Sequence, residues 1–280
     1  MTHNLQVALI QFPGSNCESE TARALRTVGC AVDVVRWNQP ASSLTGYDAY
    51  VIGGGFSYED RVRAGVIAAK EPMMEVVAEE AARGKPILGI CNGAQILLET
   101  GLVPGLHPGK VEMALATNLM RRDGRVVRHG HHCHWINLRH ESREGRTPFT
   151  QGIAAKQVLP MTISHGEGRF TCRDESVWRT LEENDQIVWR YSDDDGDLHD
   201  DFPINPNGSW GSVAGICNVE GNVLAMMPHP ERAFFIRQIP SAWGTEWGNK
   251  RRTAVGDRQA MEAPGPGRIL FESLAARSAV

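Results

Sequence analysis

The 280-residue chain lacks any large excess of charge: 29 Lys and Arg stand against 33 Asp and Glu, a net charge of −4. Gripping nucleic acid through its phosphates needs a basic field, so that class of task is set aside. No run of about 18 apolar residues exists, so no segment suits a membrane-spanning helix. The start of the chain is short and polar and leads directly into an apolar run. It has neither the basic region nor the cleavage pattern of a secretory leader. None of the six cysteines, Cys17, Cys30, Cys91, Cys133, Cys172 and Cys217, stands in a Cys-x-x-Cys pair. A chain this long buries enough core to need no covalent staples, so the expected setting is reduced and cytoplasmic, with one cysteine free for catalysis. Hydrophobic residues make up 41% and charged residues 22%, ordinary globular usage that argues against disorder. No internal repeat is present.

The first half alternates two periodicities. Apolar or β-branched runs at residues 7–10, 32–35, 49–52 and 87–90 read as strands. Residues 18–28, 72–83 and 94–100 read as helices, with Pro72 where a helix begins and Gly29 and Gly84 where two end. That order predicts an α/β fold with a mostly parallel central sheet and helices on both faces. In the second half, short candidate strands follow one another at 135–138, 158–163, 187–191, 213–218 and 223–227. Asp195-Gly196 and Asn207-Gly208 are hairpin-type turn pairs. This half reads as an antiparallel extension of the same single domain, 1–280. Residues 240–266 show no clear periodicity and read as a surface excursion before a closing helix at about 268–277.

The strongest local signal is Lys85-Pro-Ile-Leu-Gly-Ile-Cys91-Asn-Gly93-Ala-Gln95. An apolar strand runs into Gly-x-Cys-x-Gly and a helix follows, the pattern of a nucleophile elbow with Cys in place of Ser. The glycines remove side chains that would collide with neighbouring elements, and the helix N-terminus favours the thiolate. The backbone N–H of Asn92 is then placed to bind an oxyanion. A plainer reading, a buried inert Cys in a tight turn, fits the elbow taken alone. The expected base is His229, fixed between Pro228 and Pro230. Glu231 lies two residues on, where an extended chain would hold it on the same side as the imidazole. Without Cys91 in view, that segment reads equally as a solvated Pro-rich turn. The third element, Gly53-Gly54-Gly55, leaves backbone N–H groups bare at a strand end, where a doubly wound sheet binds ligands. It does not match the dinucleotide fingerprint.

Seven segments then occur in a specific order: Phe12-Pro-Gly-Ser-Asn-Cys17, Gly54-Gly-Phe-Ser-Tyr58, Arg63-Ala-Gly65, Gly89-Ile-Cys-Asn-Gly93, His165-Gly-Glu-Gly-Arg169, Asn205-Pro-Asn-Gly-Ser209 and Met227-Pro-His-Pro-Glu231. Together they resemble the glutaminase subunits of phosphoribosylformylglycinamidine synthase, within the class I glutamine amidotransferases. The resemblance spans about residues 6–235 and returns in the closing helix. Two departures stand out: Gly53 replaces a usual Pro, and the chain is longer than the compact bacterial subunits at 120–130 and 240–266.

The resemblance implies a flavodoxin-like class I amidotransferase fold. It implies that Cys91 attacks the side-chain amide of glutamine, that His229 and Glu231 complete a triad, and that Gly54, Gly55 and Asn92 supply the oxyanion hole. Gln95 matches a residue that helps hold glutamine. Ammonia would pass to a large synthetase subunit, with a small accessory subunit, in de novo purine biosynthesis. No cofactor is implied for this chain; ATP and magnesium are expected in the synthetase, and no metal, nucleic-acid or membrane site is expected here. Gly105-Leu-His-Pro-Gly109-Lys110 is too short for a phosphate loop.

Other signals rank lower. Cys17 sits at a helix start, where a thiol pKa can fall, and is a rival nucleophile without an elbow. In His129-Gly-His131-His132-Cys133-His134, alternate residues of a strand share a face, so His132 and His134 form a candidate chelate against a solvated histidine patch. Asp193-Asp-Asp-Gly-Asp197 fails the calcium-loop spacing and reads as a charged tip. The segment 165–169 lines either the glutaminase site or a partner surface. Competing with the glutaminase reading are a non-catalytic scaffold, against which the intact Cys91, His229 and Glu231 speak, and a stand-alone cysteine hydrolase.

Overall fold

A computed structural model describes residues 4–279. The first three residues of the polar start, and residue 280, lie outside the described residues. In chain order the first half runs β1 (Gln6–Gln11), α1 (Glu18–Thr27), β2 (Ala31–Arg36), β3 (Ala49–Ile52), α2 (Pro72–Ala82), β4 (Ile87–Ile90) and α3 (Asn92–Glu99). The second half adds β5 (Met113–Thr117), β6 (Leu119–Arg122), β7 (Arg125–His129), β8 (His132–His140), β9 (Val158–His165), β10 (Glu167–Cys172), α4 (Ser176–Glu183), β11 (Ile187–Ser192), β12 (Val213–Cys217) and β13 (Val223–Met226). Three helices close the chain: α5 (Glu246–Thr253), α6 (Arg258–Met261) and α7 (Arg268–Ala275).

Nine strands form one sheet in the order β2-β1-β3-β4-β13-β12-β11-β8-β9. The first five run parallel, and the remainder pair antiparallel. Helices cover both faces of the sheet, and the parallel strands reflect it. β3 (Ala-Tyr-Val-Ile), β4 (Ile-Leu-Gly-Ile) and β13 (Val-Leu-Ala-Met) are buried at every position, so they show unbroken apolar runs instead of alternation. α3 packs close to β4 because Gly89 and Gly93 have no side chains. A Cβ on Gly89 would lie 2.6 Å from Gly93 O, and one on Gly93 would lie 2.0 Å from Ile52 O.

The structure departs from the sequence expectations in five places, the first being α4, a helix within the half read as strands and turns. Residues 120–130 belong to a hairpin, β6 with β7, turned by Asp123-Gly124, both at positive φ. The residues of β7 are all exposed, so no apolar alternation marked it; the Asp-Gly pair was the signal available. A second small sheet pairs β5 with β10. Asp195-Gly196 and Asn207-Gly208 join no hairpin. Both lie in the long connection between β11 and β12, where Gly196 and Gly208 adopt positive φ but the flanking chain is unpaired. Finally, 240–266, which shows no clear periodicity, contains helices. It holds α5 and α6 and a small apolar cluster in which Ile236, Ile239 and Ala254 meet Trp135, Trp243 and Trp247. Its end returns to the main body, where Ile236 N donates to Ala263 O and Gly265 N to Phe234 O. α5 is polar, buries only Gly248 and meets the cluster through a single apolar side chain of its own, Trp247, so it carries no helical apolar stripe to read.

Candidate active site

β3, β4 and β13 are adjacent and parallel, so their carboxyl ends lie side by side. The register places Ile52 opposite Gly89 and Ile90 opposite Met226. The residues that follow, 53–55, Cys91 and 227–229, therefore emerge at one sheet edge. This is where ligands bind in open α/β sheets.

Cys91 is the turn between β4 and α3. Its backbone stands at φ 52°, ψ −104°, a region that β-carbon sterics disfavour by about 1–3 kcal/mol. The neighbours hold it there: Cys91 N donates to Met226 O at 2.8 Å, and Cys91 O accepts from Gln95 N at 3.1 Å. The thiol is thus fixed at the N-terminus of α3, with Ser164 O 3.6 Å from Sγ.

His229 is buried, which removes the reading of a solvated turn. Its backbone N–H donates to Thr162 O at 2.8 Å, tying it to β9. The chain does not stay extended after it: residues 230–233 form one 3₁₀ turn, and that turn brings Glu231 round to the imidazole. Nδ1 of His229 lies 2.5 Å from Oε1 of Glu231. Burial alone would push the imidazole down, but the Glu231 carboxylate and the Cys91 sulfur outweigh it, and His229 sits well above its ordinary value. An imidazole with this raised proton affinity, held between a carboxylate and a thiol, is equipped to take the thiol proton and later return it.

Residues 53–55 complete the edge. A Cβ on Gly54 would lie 2.7 Å from His229 Cε1, 3.0 Å from Cys17 Sγ and 3.5 Å from Cys91 Cβ. Gly54 thus fits between the triad histidine and two cysteines. Gly55 stands at φ 142° and pairs with Ser15 across an isolated bridge. Asn92 and Gln95 face away from bulk water: Asn92 Oδ1 accepts from Ser57 N at 3.0 Å, Asn92 Nδ2 donates to Gln95 Oε1 at 2.8 Å, and Gln95 Nε2 donates to Glu167 O at 2.7 Å.

Two groups escaped the sequence reading. The first is a pair of carboxylates beside Asn92 and Gln95. Asp60 Oδ1 lies 3.4 Å from Asn92 Nδ2, and burial together with the Glu167 charge pushes the Asp60 carboxyl up to about 6. Nothing in the sequence spacing joins residues 60 and 167. The second is Asn118, which is fully buried between β5 and β6. Its Nδ2 donates to His165 O at 2.7 Å and Gly130 O at 3.0 Å; its Oδ1 accepts from Gly168 N at 2.9 Å. It clamps the 165–168 turn, and that turn supplies the carbonyl that holds Gln95. His165 itself lines the interior. Burial first, then the His229 charge, lowers its pKa to about 3.

The remaining motifs fall into place. Cys17 is not at a site that lowers its pKa: burial raises it, although Arg232 Nη2 lies 3.0 Å from Sγ. It does converge on His229, whose ring nitrogen lies within 4.8 Å of Sγ. His132 and His134 share a face, with ring centroids 5.7 Å apart, and His132 packs on Phe202. Among the described residues no third donor joins them into a metal-sized group. Asp193 satisfies its own turn, accepting from Asp195 N and Asp197 N and facing His199 Nε2 at 2.8 Å, as a charged tip would. No described helix is long and apolar enough to cross a membrane.

Comparison with known proteins adds to this geometry. The profile of the CobB/CobQ-like glutamine amidotransferase domain matches residues 4–261. The phosphoribosylformylglycinamidine synthase subunit PurQ of Methanothrix thermoacetophila is 47% identical over 272 residues, covering 96% of this chain and 97% of the relative. The subunit of the same name from Pyrococcus furiosus is 42% identical over 230 residues, 82% of this chain and 89% of its own length. A chain in the structure of PurLQS from Thermotoga maritima superposes with a TM-score of 0.68 at 29% identity. That match covers 97% of this chain and 98% of the other.

Proposed function

Since the chain belongs to the CobB/CobQ-like glutamine amidotransferases, and among them to the PurQ subunits of phosphoribosylformylglycinamidine synthase, we propose that it hydrolyses glutamine through Cys91, His229 and Glu231. The ammonia passes to a synthetase partner that converts formylglycinamide ribonucleotide to formylglycinamidine ribonucleotide. The observation that carries this reading is the convergence of 53–55, Cys91 and His229 at the ends of three adjacent parallel strands.

In this mechanism His229 takes the proton of Cys91, and the sulfur attacks the side-chain amide carbon of glutamine. The oxyanion that forms is held by the N–H of Asn92 and by N–H groups of Gly54 and Gly55. His229 returns the proton to the leaving ammonia, which departs as the glutamyl thioester forms. Water, deprotonated by the same imidazole, then releases glutamate. Glu231 stabilises the imidazolium and fixes the ring by its bond to Nδ1. Gln95, braced by Asn92 and Glu167 O, orients the substrate. The α-ammonium of glutamine meets the carboxylates of Asp60 and Glu167. Burial first and the Glu167 charge second raise Asp60, and a cation between the two carboxylates offsets both. The whole chain acts as a single amidotransferase domain without a cofactor of its own, and ATP and magnesium serve the synthetase chain.

An isolated glutaminase that ran freely would waste glutamine, so activity alone is expected to be low and to rise with the partner. A modest rotation of the 53–55 peptides suffices, because one oxyanion donor changes kcat by about 10²–10³. Steady-state glutaminase kinetics on the purified chain, then with the synthetase, its nucleotide and its ribonucleotide substrate, test this. Equal kcat in both conditions would defeat the gating and favour a stand-alone hydrolase.

A further inference from the structure

His229 is shared by two thiols. Cys91 and Cys17 both act on its imidazole, although they come from different strand ends, one after β4 and one before α1. Gly54 lies between them, and a single carbon placed on it would touch Cys17 Sγ, Cys91 Cβ and His229 Cε1 together. Only the missing side chain of a glycine keeps that space open. Both cysteines are free thiols, and each meets the His229 imidazole. Beyond the imidazole, Cys91 Sγ has the Ser164 carbonyl at 3.6 Å, and Cys17 Sγ has Asn16 Oδ1 at 3.1 Å and Arg232 Nη2 at 3.0 Å. The proposed hydrolysis does not use Cys17, so a buried nucleophilic sulfur stands unassigned beside the reacting one.

We propose that Cys91 and Cys17 form an oxidisable dithiol, in which a hydroperoxide oxidises Cys91 and Cys17 closes a disulfide onto it. The inference rests on the reading of Cys91 as the nucleophile. The chemistry balances in two steps. The Cys91 sulfur attacks one oxygen of the hydroperoxide: an S–O bond forms, the O–O bond breaks, and the departing oxygen takes the proton from His229. Sulfur is oxidised to the sulfenic acid and the peroxide is reduced to water or an alcohol. His229 then accepts the proton of Cys17, whose sulfur attacks that of Cys91. The S–S bond forms, the S–O bond breaks, and the hydroxide leaves as water with the proton His229 returns. The adjacent Arg232 guanidinium stabilises the Cys17 thiolate during the attack, and the shared imidazole supplies the base that a buried thiol needs. The consequence is a reversible arrest. The disulfide removes the nucleophile, and it also protects Cys91 from the sulfinic acid that dithiols cannot reduce.

The full-length chain treated with hydrogen peroxide, quenched with an alkylating agent and mapped by mass spectrometry provides the test. The wild-type chain should lose about 2 Da as two thiols become a disulfide, yield a cross-linked peptide pair containing Cys17 and Cys91, and regain most of its glutaminase rate with dithiothreitol. Cys17→Ala should be inactivated by the same peroxide, gain about 32 Da at Cys91 as sulfinic acid, and recover at least ~10-fold less activity on reduction. Cys17→Ser gives the same readout should the alanine variant fold poorly. Equal recovery in the variant, or Cys91 linked to another cysteine, or direct passage of wild type to the sulfinic acid, would overturn the proposal. The mass readout does not depend on turnover, whereas glutamine hydrolysis by the untreated chain tests the glutaminase reading separately.

Discussion

The imidazole of His229 and the carboxylate of Glu231 are both buried and meet at 2.5 Å, two residues apart in the chain yet joined only because the backbone turns between them. With Nδ1 taken by Glu231, the other side of the ring is left to the two thiols, Cys17 and Cys91. The pair and Cys91 should therefore behave as one device.

Cys91→Ala should abolish glutamine hydrolysis, while Cys17→Ala keeps most of it. A glutamine-mimicking chloroketone should label Cys91 alone. His229→Asn should lower kcat by about four orders of magnitude, and Glu231→Gln by less, because an amide still orients the ring. The double variant should cost little more than His229→Asn. Full additivity in steady-state kinetics would show that the two do not act together.

Gly54→Ala places a methyl group 2.7 Å from His229 Cε1. The ring must swing away from Cys91, and a displacement of about 1 Å can cost ~10²-fold in rate. Thermal melting should fall as well, by an amount corresponding to the roughly 1–3 kcal/mol that overpacking a buried site costs. A variant with normal kcat would mean that His229 need not be where it stands.

Asn118→Ala removes the partners of two buried backbone groups, His165 O and Gly168 N, and of the half-buried Gly130 O. Each orphaned group costs on the order of 1–3 kcal/mol, so urea denaturation should show a loss of at least about 2 kcal/mol. The turn that braces Gln95 should loosen as well, raising KM for glutamine. An unchanged denaturation midpoint would contradict the clamp.

Asp60→Asn tests the ammonium subsite. The Asp60 carboxyl is pushed up to about 6 by burial and by Glu167, and a bound cation should lower it again. The variant should raise KM with kcat nearly preserved, because the lost contact is shared by ground and transition states. Wild-type KM should also rise as pH falls through about 6, where the free enzyme becomes protonated there. A pH-independent KM, matched by an unaltered KM in the variant, would remove Asp60 from binding.

His165 governs acid stability. Its folded pKa, near 3, lies below the ordinary value near 6.5, mainly through burial. Between these values the unfolded chain binds the extra proton, so stability is present above about pH 6.5 and falls as pH drops toward 3. Melting curves should show this slope in wild type and a shallower one in His165→Gln. Equal slopes would assign the acid lability to other groups.

Much of this molecule was written in local sequence. The strands around Leu9, Val51 and Leu88 are unbroken apolar runs because both faces are covered, and the helices at 18–27 and 72–82 begin and end at residues that chain stereochemistry marks. Gly89, Cys91 and Gly93 announced the elbow, since only glycine tolerates contacts as close as those with Leu97 and Ile52. What local pattern could not carry was adjacency between distant segments. Asp60 beside Glu167, Cys17 beside His229, and Asn118 beneath the 165–168 turn are each fixed by sheet order and burial, not by spacing along the chain. The same holds for 240–266. Its Trp243 finds Trp135 of β8 far away in sequence, and a helix that offers the cluster one apolar side chain, Trp247, leaves no periodic trace. The sequence by itself determined which residues can react. The tertiary structure decided which of them meet, because the order of parallel strands sets which loop ends share an edge and burial sets the charge each group carries there.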